Sequence, residues 1–185
     1  TFGMGAITVV GTSVKDALGK NLKDIAEDLG LDPIDAVLYL LEKDEGYTWV
    51  GVGYMSEENI IMGLKNRLAL IGTDSFAQDD ETSKQRLHPR EFGTYPRIFG
   101  RYVRELKALS MVEAVQKSTI KPALVAGLKD RGAIKPGYYA DIVVFNPNAI
   151  DEADQCAFFE DPTKDKSPKG LEHILINGKL ALHKG

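Results

Sequence analysis

The chain has 185 residues, 43% of them hydrophobic and 27% charged, with a formal net charge of -4 at pH 7. Charges of both signs are interleaved, so the sequence has no basic stripe to neutralise nucleic-acid phosphates, and no apolar run approaches the roughly 18 residues of a membrane span. We therefore expect a globular, cytoplasmic protein with neither nucleic acid nor membrane as a partner.

The first 66 residues carry the start and stop signals of three helices. Asn21 can cap a helix that Gly30 ends. Asp32, followed by a proline, begins a second helix, and Ser56 caps a third that runs to about residue 66. The second helix has an apolar stripe at helical spacing, so we expect the two helices to form a short pair: Ile34, Val37, Leu38 and Leu41.

Three short apolar segments are predicted strands: residues 6–10, 47–54 and 68–71. The last two flank the third helix, and a strand, a helix and a strand at this close spacing predict a βαβ unit with parallel strands. Functional groups lie at the carboxyl ends of such strands. Because Asp74 comes just after the last of them, it is the first candidate for a functional side chain.

The middle of the chain begins with a polar, aperiodic stretch at 78–86, which is typical of a surface loop. Beyond it we expect a helix that begins at Pro96, since proline is favoured at the first helical position. A second helix begins at a capping box over 110–113, and a short third helix covers 119–126.

Turn-forming residues at 132–137 mark a change to β structure. A strand is predicted over 140–145, and a hairpin joins 173–176 to 179–183 about an Asn-Gly pair. Between these strands, the charged and proline-containing stretch 151–170 is predicted to be a surface excursion.

Histidine and cysteine do not complete a metal site in this sequence. The histidines at 88, 173 and 183 form no His-x-His or His-x-x-x-His pair, the spacings at which one element supplies two metal ligands. Cys156 is the only cysteine, and we assign it no role.

Several blocks of the sequence form a recognisable set: residues 19–26, 55–58, 71–74, 88–97, 100–102 and 132–145. The most specific is 88–97, where His-Pro-Arg is followed by Gly-Thr-Tyr-Pro-Arg. Together the blocks resemble the C-terminal part of the N-acyl-D-amino-acid deacylases, also called D-aminoacylases, of the amidohydrolase superfamily.

This resemblance implies an α/β fold: a metal-dependent TIM-type barrel with a zinc cofactor, flanked by a small β-sandwich domain. Residues 1–128 correspond to the C-terminal part of the barrel, with a helical insertion at about 12–45, and residues 129–185 to the C-terminal half of the β domain. A barrel needs about 250 residues. We therefore expect the remaining strands and zinc ligands in a missing N-terminal part of the same polypeptide.

Three side chains take roles from the resemblance. Asp74 is the catalytic carboxylate that contacts the metal and takes a proton from a zinc-activated water. Arg90 binds the carboxylate of the substrate in bidentate fashion, or else pairs with an acidic neighbour such as Glu91. His88 either polarises the substrate or braces the loop.

The implied reaction is hydrolysis of a small-molecule N-acyl-D-amino acid to a carboxylate and the free D-amino acid. Two alternatives stay open: a related amidohydrolase that acts on a cyclic amide, as hydantoinases and dihydroorotases do, and a non-catalytic helix-plus-β module. We expect this chain alone to be inactive and to self-associate through unpaired strand edges.

Overall fold

The computed structural model describes residues 3–75, 88–152 and 167–183. The predicted polar loop at 78–86, Cys156 and most of the predicted excursion lie outside these ranges. Within them, no helix is long and apolar enough to cross a membrane.

The N-terminal part consists of a two-stranded sheet and two helices. Strand β1, Ile7–Gly11, pairs antiparallel with β2, Trp49–Val52, and an irregularity between Val9 and Gly11 leaves two consecutive valines buried. Helices α1, Leu22–Leu29, and α2, Pro33–Lys43, lie between the strands in sequence. Their predicted boundaries are confirmed, because the Asn21 side chain accepts from the Asp24 N–H and Gly30 adopts a left-handed conformation.

Most of the apolar stripe of α2 lies outside the core, and of its residues only Val37 packs against the N-terminal core cluster. Ala36 and Leu40 are buried, whereas the stripe residues Ile34, Leu38 and Leu41 are exposed. The small side chain at Ala36 lets α1 approach closely, so the helix turns the Ala36 and Leu40 face towards its neighbour. Spacing alone identifies an apolar stripe but cannot say which stripe meets a partner.

The predicted parallel βαβ unit is also wrong within the described residues. Helix α3, Glu57–Lys65, forms as expected from its Ser56 cap, but β2 is antiparallel to β1 and residues 68–71 form no strand. The Ile71 N–H donates to the Lys117 carbonyl instead of to a strand. A short apolar segment becomes a strand only beside a ladder partner, and here the segment packs against a helix.

The predicted helix start at Pro96 is wrong, because the helix begins earlier. Helix α4, Arg90–Arg97, contains Pro96 and continues as a π-helical segment, Ile98–Glu105. Pro89 makes the earlier start, since its carbonyl accepts from the Gly93 N–H at 2.8 Å. Pro96 has no N–H to donate, and wider π turns follow this missing bond.

The C-terminal part adds two helices and a three-stranded sheet. Helix α5, Met111–Ser118, begins at the predicted capping box, and the short α6 spans Ile120–Val125. The antiparallel order β3, β4, β5 confirms the predicted hairpin about Asn177 and Gly178. The strands span Ile142–Phe145, Leu171–Ile176 and Lys179–His183.

The apolar core has two separate clusters. One joins β1 to α1 and α2 around Val9, Ile25 and Leu40. The other joins the end of the 68–71 segment to the 90–105 helix, α5 and the three-stranded sheet: Ile71, Ile98, Phe99, Tyr102, Ala108, Leu109, Ala114 and Ile150. The second cluster therefore supports both segments that carry the predicted site residues.

Candidate functional site

Asp74 lies three residues after the 68–71 segment, at the point where the chain leaves the core. Its side chain is 88% exposed. Its φ of +50° lies in the left-handed region that few residues other than glycine adopt, although aspartate is among those that tolerate it. The carboxylate is therefore open to solvent, whereas Ile71, three residues earlier, is buried in the core.

Arg90, the first residue of α4, reaches Asp74. Its Nη1 lies 2.9 Å from Asp74 Oδ2, and no ion pair joins it to Glu91 within the described ranges. Its Nε is buried and has no acceptor among the described residues. The guanidinium thus makes one ion pair through Nη1, and its Nε–H has no acceptor among the described residues.

His88 completes the group from two residues before Arg90. Its Nδ1 accepts a hydrogen bond from the Arg90 backbone N–H at 3.1 Å, so the neutral ring carries its proton on Nε2. Burial, helped by the positive charge of Arg90, lowers the pKa of His88. The ring is therefore neutral at pH 7 and can donate from Nε2.

Helices α5 and α4 hold the segment that leads to Asp74. The buried Lys117 donates from Nζ to the carbonyls of Asn66, at 2.5 Å, and Ala69, at 3.0 Å. The Tyr95 hydroxyl donates to the Ile71 carbonyl at 3.4 Å. The sequence analysis missed Lys117, although its position three residues after Ala114 places it on the buried face of α5.

A second group of ion pairs holds the chain beside the 90–105 helix. Arg97 pairs with Glu152, and Arg104 donates to Asp151 and to the Ile150 carbonyl. Burial disfavours the charge of Arg97, but Glu152 and Tyr102 together outweigh that effect, and the pKa of Arg97 is raised. These arginines have structural partners, unlike the Nε of Arg90.

The described residues do not form a complete metal site. No group of three or more His, Cys, Asp or Glu side chains in this part of the chain could hold an ion. His173 and His183 are cross-strand neighbours on β4 and β5, with their Nδ1 atoms 2.9 Å apart. Asp74 and His88 are the groups near Arg90 that could serve as ligands.

A half-open apolar cleft of about 670 Å³ lies between α4 and the three-stranded sheet. Asp74, His88 and Arg90 do not line it. Its walls are mostly hydrophobic, and the side chains that α4 and the sheet contribute include Phe92, Phe99, Ile142, Phe145 and Ile174. The cleft is therefore separate from the candidate site.

Comparison with known proteins places the chain in a family. A model of the amidohydrolase family matches residues 84–179, which include His88 and Arg90. The chain belongs to the amidohydrolase family. The chain is 33% identical over 160 residues to the N-acyl-D-glutamate deacylase of Alcaligenes xylosoxydans xylosoxydans. This alignment covers 86% of the chain and 30% of that relative. The D-aminoacylase of the same organism is 32% identical over 160 residues, with the same coverage.

The structure of the chain is also similar to solved structures of amidohydrolases. The N-acyl-D-glutamate deacylase from Bordetella bronchiseptica, solved with zinc and a phosphonate inhibitor that mimics the tetrahedral intermediate, superposes with a TM-score of 0.78 at 28% identity. The superposition covers 96% of this chain and 34% of that one. The chain thus spans about a third of the length of the relatives that it matches.

Proposed function

We propose that this chain carries part of the active site of a metal-dependent hydrolase that cleaves the amide bond of N-acyl-D-amino acids. One observation carries the proposal: the carboxylate of Asp74 and the guanidinium of Arg90 lie 2.9 Å apart in a chain similar to two deacylases of this class. In this proposal the carboxylate serves as a base for the attacking water and the guanidinium binds the carboxylate of the substrate.

The side chains present fit one ligand of a divalent metal such as zinc. Asp74 offers an exposed carboxylate, an oxygen donor that zinc accepts. A catalytic zinc site uses about three protein ligands, so we expect the others from residues outside the described ranges. When bound, zinc lowers the pKa of a coordinated water to about 7 and polarises the amide carbonyl.

Asp74 moves the proton in this proposal. Its carboxylate accepts a proton from the attacking water as the C–O bond forms, and returns it to the nitrogen as the C–N bond breaks. The products are the carboxylate of the acyl group and the free amino acid. The high exposure of the Asp74 side chain leaves it accessible to both water and leaving group.

Arg90 binds the substrate carboxylate, and His88 orients it. The Arg90 side chain is 40% exposed, so its planar guanidinium can offer Nη donors to a substrate carboxylate. The bond from the Arg90 N–H to His88 Nδ1 fixes the start of α4. We assign to the neutral His88 ring the role of orienting the substrate at this site.

The domain organisation belongs to the same proposal. Residues 1–128 form the C-terminal part of a TIM-type barrel with a helical insertion at about 12–45, and residues 129–185 form half of a β domain. The separate core cluster around Val9, Ile25 and Leu40 supports an insertion that packs largely on itself.

A substrate panel tests the proposed function. The full-length protein that contains this chain is assayed with N-acetyl-D-amino acids, their L-enantiomers and dihydroorotate, with and without a chelator. We expect hydrolysis of the D-compounds only, lost with chelator and restored by zinc. Turnover of dihydroorotate alone would favour the cyclic-amide alternative, and no turnover of any compound would favour a non-catalytic module.

A further inference from the structure

We propose that Lys117 is a positioning residue, whose ammonium group fixes the main chain that presents Asp74. Its role in catalysis rests on the proposed function, whereas its hold on the segment can be tested without any substrate. Lys117 does not touch the reacting atoms in this proposal, and it acts through the backbone at residues 66–71.

The surroundings of Lys117 are unusual for a lysine. It is 3% exposed and forms no ion pair within the described ranges. Burial lowers its pKa, with the nearby positive charge of Lys121 acting in the same direction. Burying an ammonium without a carboxylate is costly, so its hydrogen bonds must offset that cost.

Those hydrogen bonds all go to the segment that leads to Asp74. Lys117 Nζ donates to the carbonyls of Asn66 and Ala69, and the Lys117 carbonyl accepts from the Ile71 N–H at 3.2 Å. One residue of α5 therefore contacts three positions among the eight that precede Asp74. These bonds take the place of the strand ladder that residues 68–71 lack.

The same segment is tied to the helix that carries Arg90. Tyr95, on α4, donates to the carbonyl of Ile71, whose N–H is bound by Lys117. The backbone of the buried Ile71 is thus hydrogen-bonded both to α5, through Lys117, and to α4, the helix that begins with Arg90. A small shift of this backbone displaces the carboxylate relative to the guanidinium, and a displacement of about 1 Å can cost about 100-fold in rate.

The test uses the full-length protein with variants Lys117→Met, Lys117→Arg and, as a matched control, Lys65→Met. Lys65 is an exposed lysine one residue before Asn66. We measure kcat and KM for the best N-acyl-D-amino acid, the melting temperature, and hydrogen exchange of the Ile71 amide.

For Lys117→Met we expect a fall in kcat of about 100-fold, KM within about threefold, and faster exchange of the Ile71 amide. Lys117→Arg keeps charged N–H donors and restores kcat to within about tenfold of wild type. Lys65→Met leaves kcat, KM and the exchange of the Ile71 amide unchanged. Wild-type kcat and exchange in Lys117→Met would overturn the inference, and so would Arg and Met variants that are equally impaired.

Failure of the proposed function gives a different result from failure of this inference. If the wild-type protein hydrolyses no acyl amino acid, the proposed function fails, and the exchange of Ile71 alone then decides whether Lys117 fixes the segment. If Lys117→Met does not fold, Lys117→Gln replaces it, and the Ile71 amide should exchange faster in the Gln variant than in wild type and in Lys117→Arg. Wild-type exchange in the Gln variant overturns the inference.

Discussion

At the scale of single residues, the ion pair between Asp74 and Arg90 is too exposed to be a structural bond. The Asp74 side chain is 88% exposed and that of Arg90 40%, and such surface pairs contribute about 0–1 kcal/mol. Either group can therefore exchange its partner at little cost. This property suits groups that must engage a substrate, and it distinguishes them from the buried ammonium of Lys117.

Replacing Arg90 with alanine should weaken binding of substrates that carry a carboxylate. Loss of a hydrogen-bonded, charged partner predicts a rise in KM of about 10- to 100-fold, measured by steady-state kinetics on the full-length protein. A substrate with a carboxamide in place of the carboxylate should show little change. Arg67→Ala, at an exposed arginine, is the matched control. An equal effect on both substrates would contradict the assignment of Arg90 as the carboxylate clamp.

The three candidate site residues were predicted from the sequence and its family resemblance, but their arrangement was not. His88 and Arg90 are close because they are two residues apart. Their meeting with Asp74 depends on how α4 packs against the segment that ends at Ile71, and this packing leaves no local signal in the sequence. Lys117 was missed for a related reason, because a lysine near the end of a helix is usually a solvated charge.

At the scale of elements, local sequence signals predicted where several helices begin, but not which segments pack or pair with each other. Caps such as Asn21, Ser56 and Ser110 act within one turn, so the sequence contains all that they need. The strand predicted at 68–71 failed because a strand requires a second segment. The buried face of α2 could not be read from its spacing for a similar reason, since the choice of face depends on α1.

Two glycines in helical segments should respond to alanine in opposite ways. A methyl group at Gly100 would come within 2.5 Å of Asp151 Oδ1 and 2.9 Å of the Ile150 carbonyl oxygen, whereas one at Gly63 in α3 would meet nothing within 4 Å. We expect Gly100→Ala to destabilise the protein by about 1–3 kcal/mol. Gly63→Ala should stabilise it by about 0.5–1 kcal/mol. Denaturant unfolding measures both, and equal shifts would contradict the close approach at Gly100.

Asp44 should make the stability of the N-terminal part depend on pH. Hydrogen bonds from Ser13, with Thr12 and Thr48 adding to them, hold the pKa of this buried carboxyl far below its usual value. Because the folded-state pKa lies below the unfolded one, the stabilisation is complete above about pH 4 and fades as the pH falls. The gap in melting temperature between wild type and Asp44→Asn should therefore shrink from pH 6 to pH 3. Asp130→Asn, at an exposed aspartate, should show no such trend, and a constant gap for Asp44→Asn would refute the assignment.

At the scale of the whole molecule, large apolar side chains remain exposed on both sheets and on several helices. Trp49 on β2 is 72% exposed, Ile134 before β3 is 84% exposed, and Val125 at the end of α6 is 77% exposed. A two-stranded sheet such as that of β1 and β2 is marginal by itself in water. The chain spans about 30% of the length of its curated relatives. In a protein of that length, we expect further polypeptide to cover these exposed apolar side chains.

The 185-residue chain produced alone should therefore self-associate. Exposed apolar patches and unpaired strand edges favour contacts between copies, and sedimentation velocity should show dimers or larger species at micromolar concentration. The full-length protein should show less association per chain under the same conditions. A compact monomer of the isolated chain across that concentration range would contradict this prediction.

The most direct test of the account is the turnover of Asp74→Asn in the full-length protein at saturating zinc, on the N-acyl-D-amino acid that the wild type hydrolyses best. Asparagine retains the shape and an oxygen donor but cannot take a proton, so kcat should fall by at least about 100-fold, with KM, set by Arg90, within a few fold. Asp130→Asn serves as the control and should keep wild-type kinetics. Wild-type turnover in Asp74→Asn would show that this carboxylate does not handle the proton, and the proposed site would be wrong.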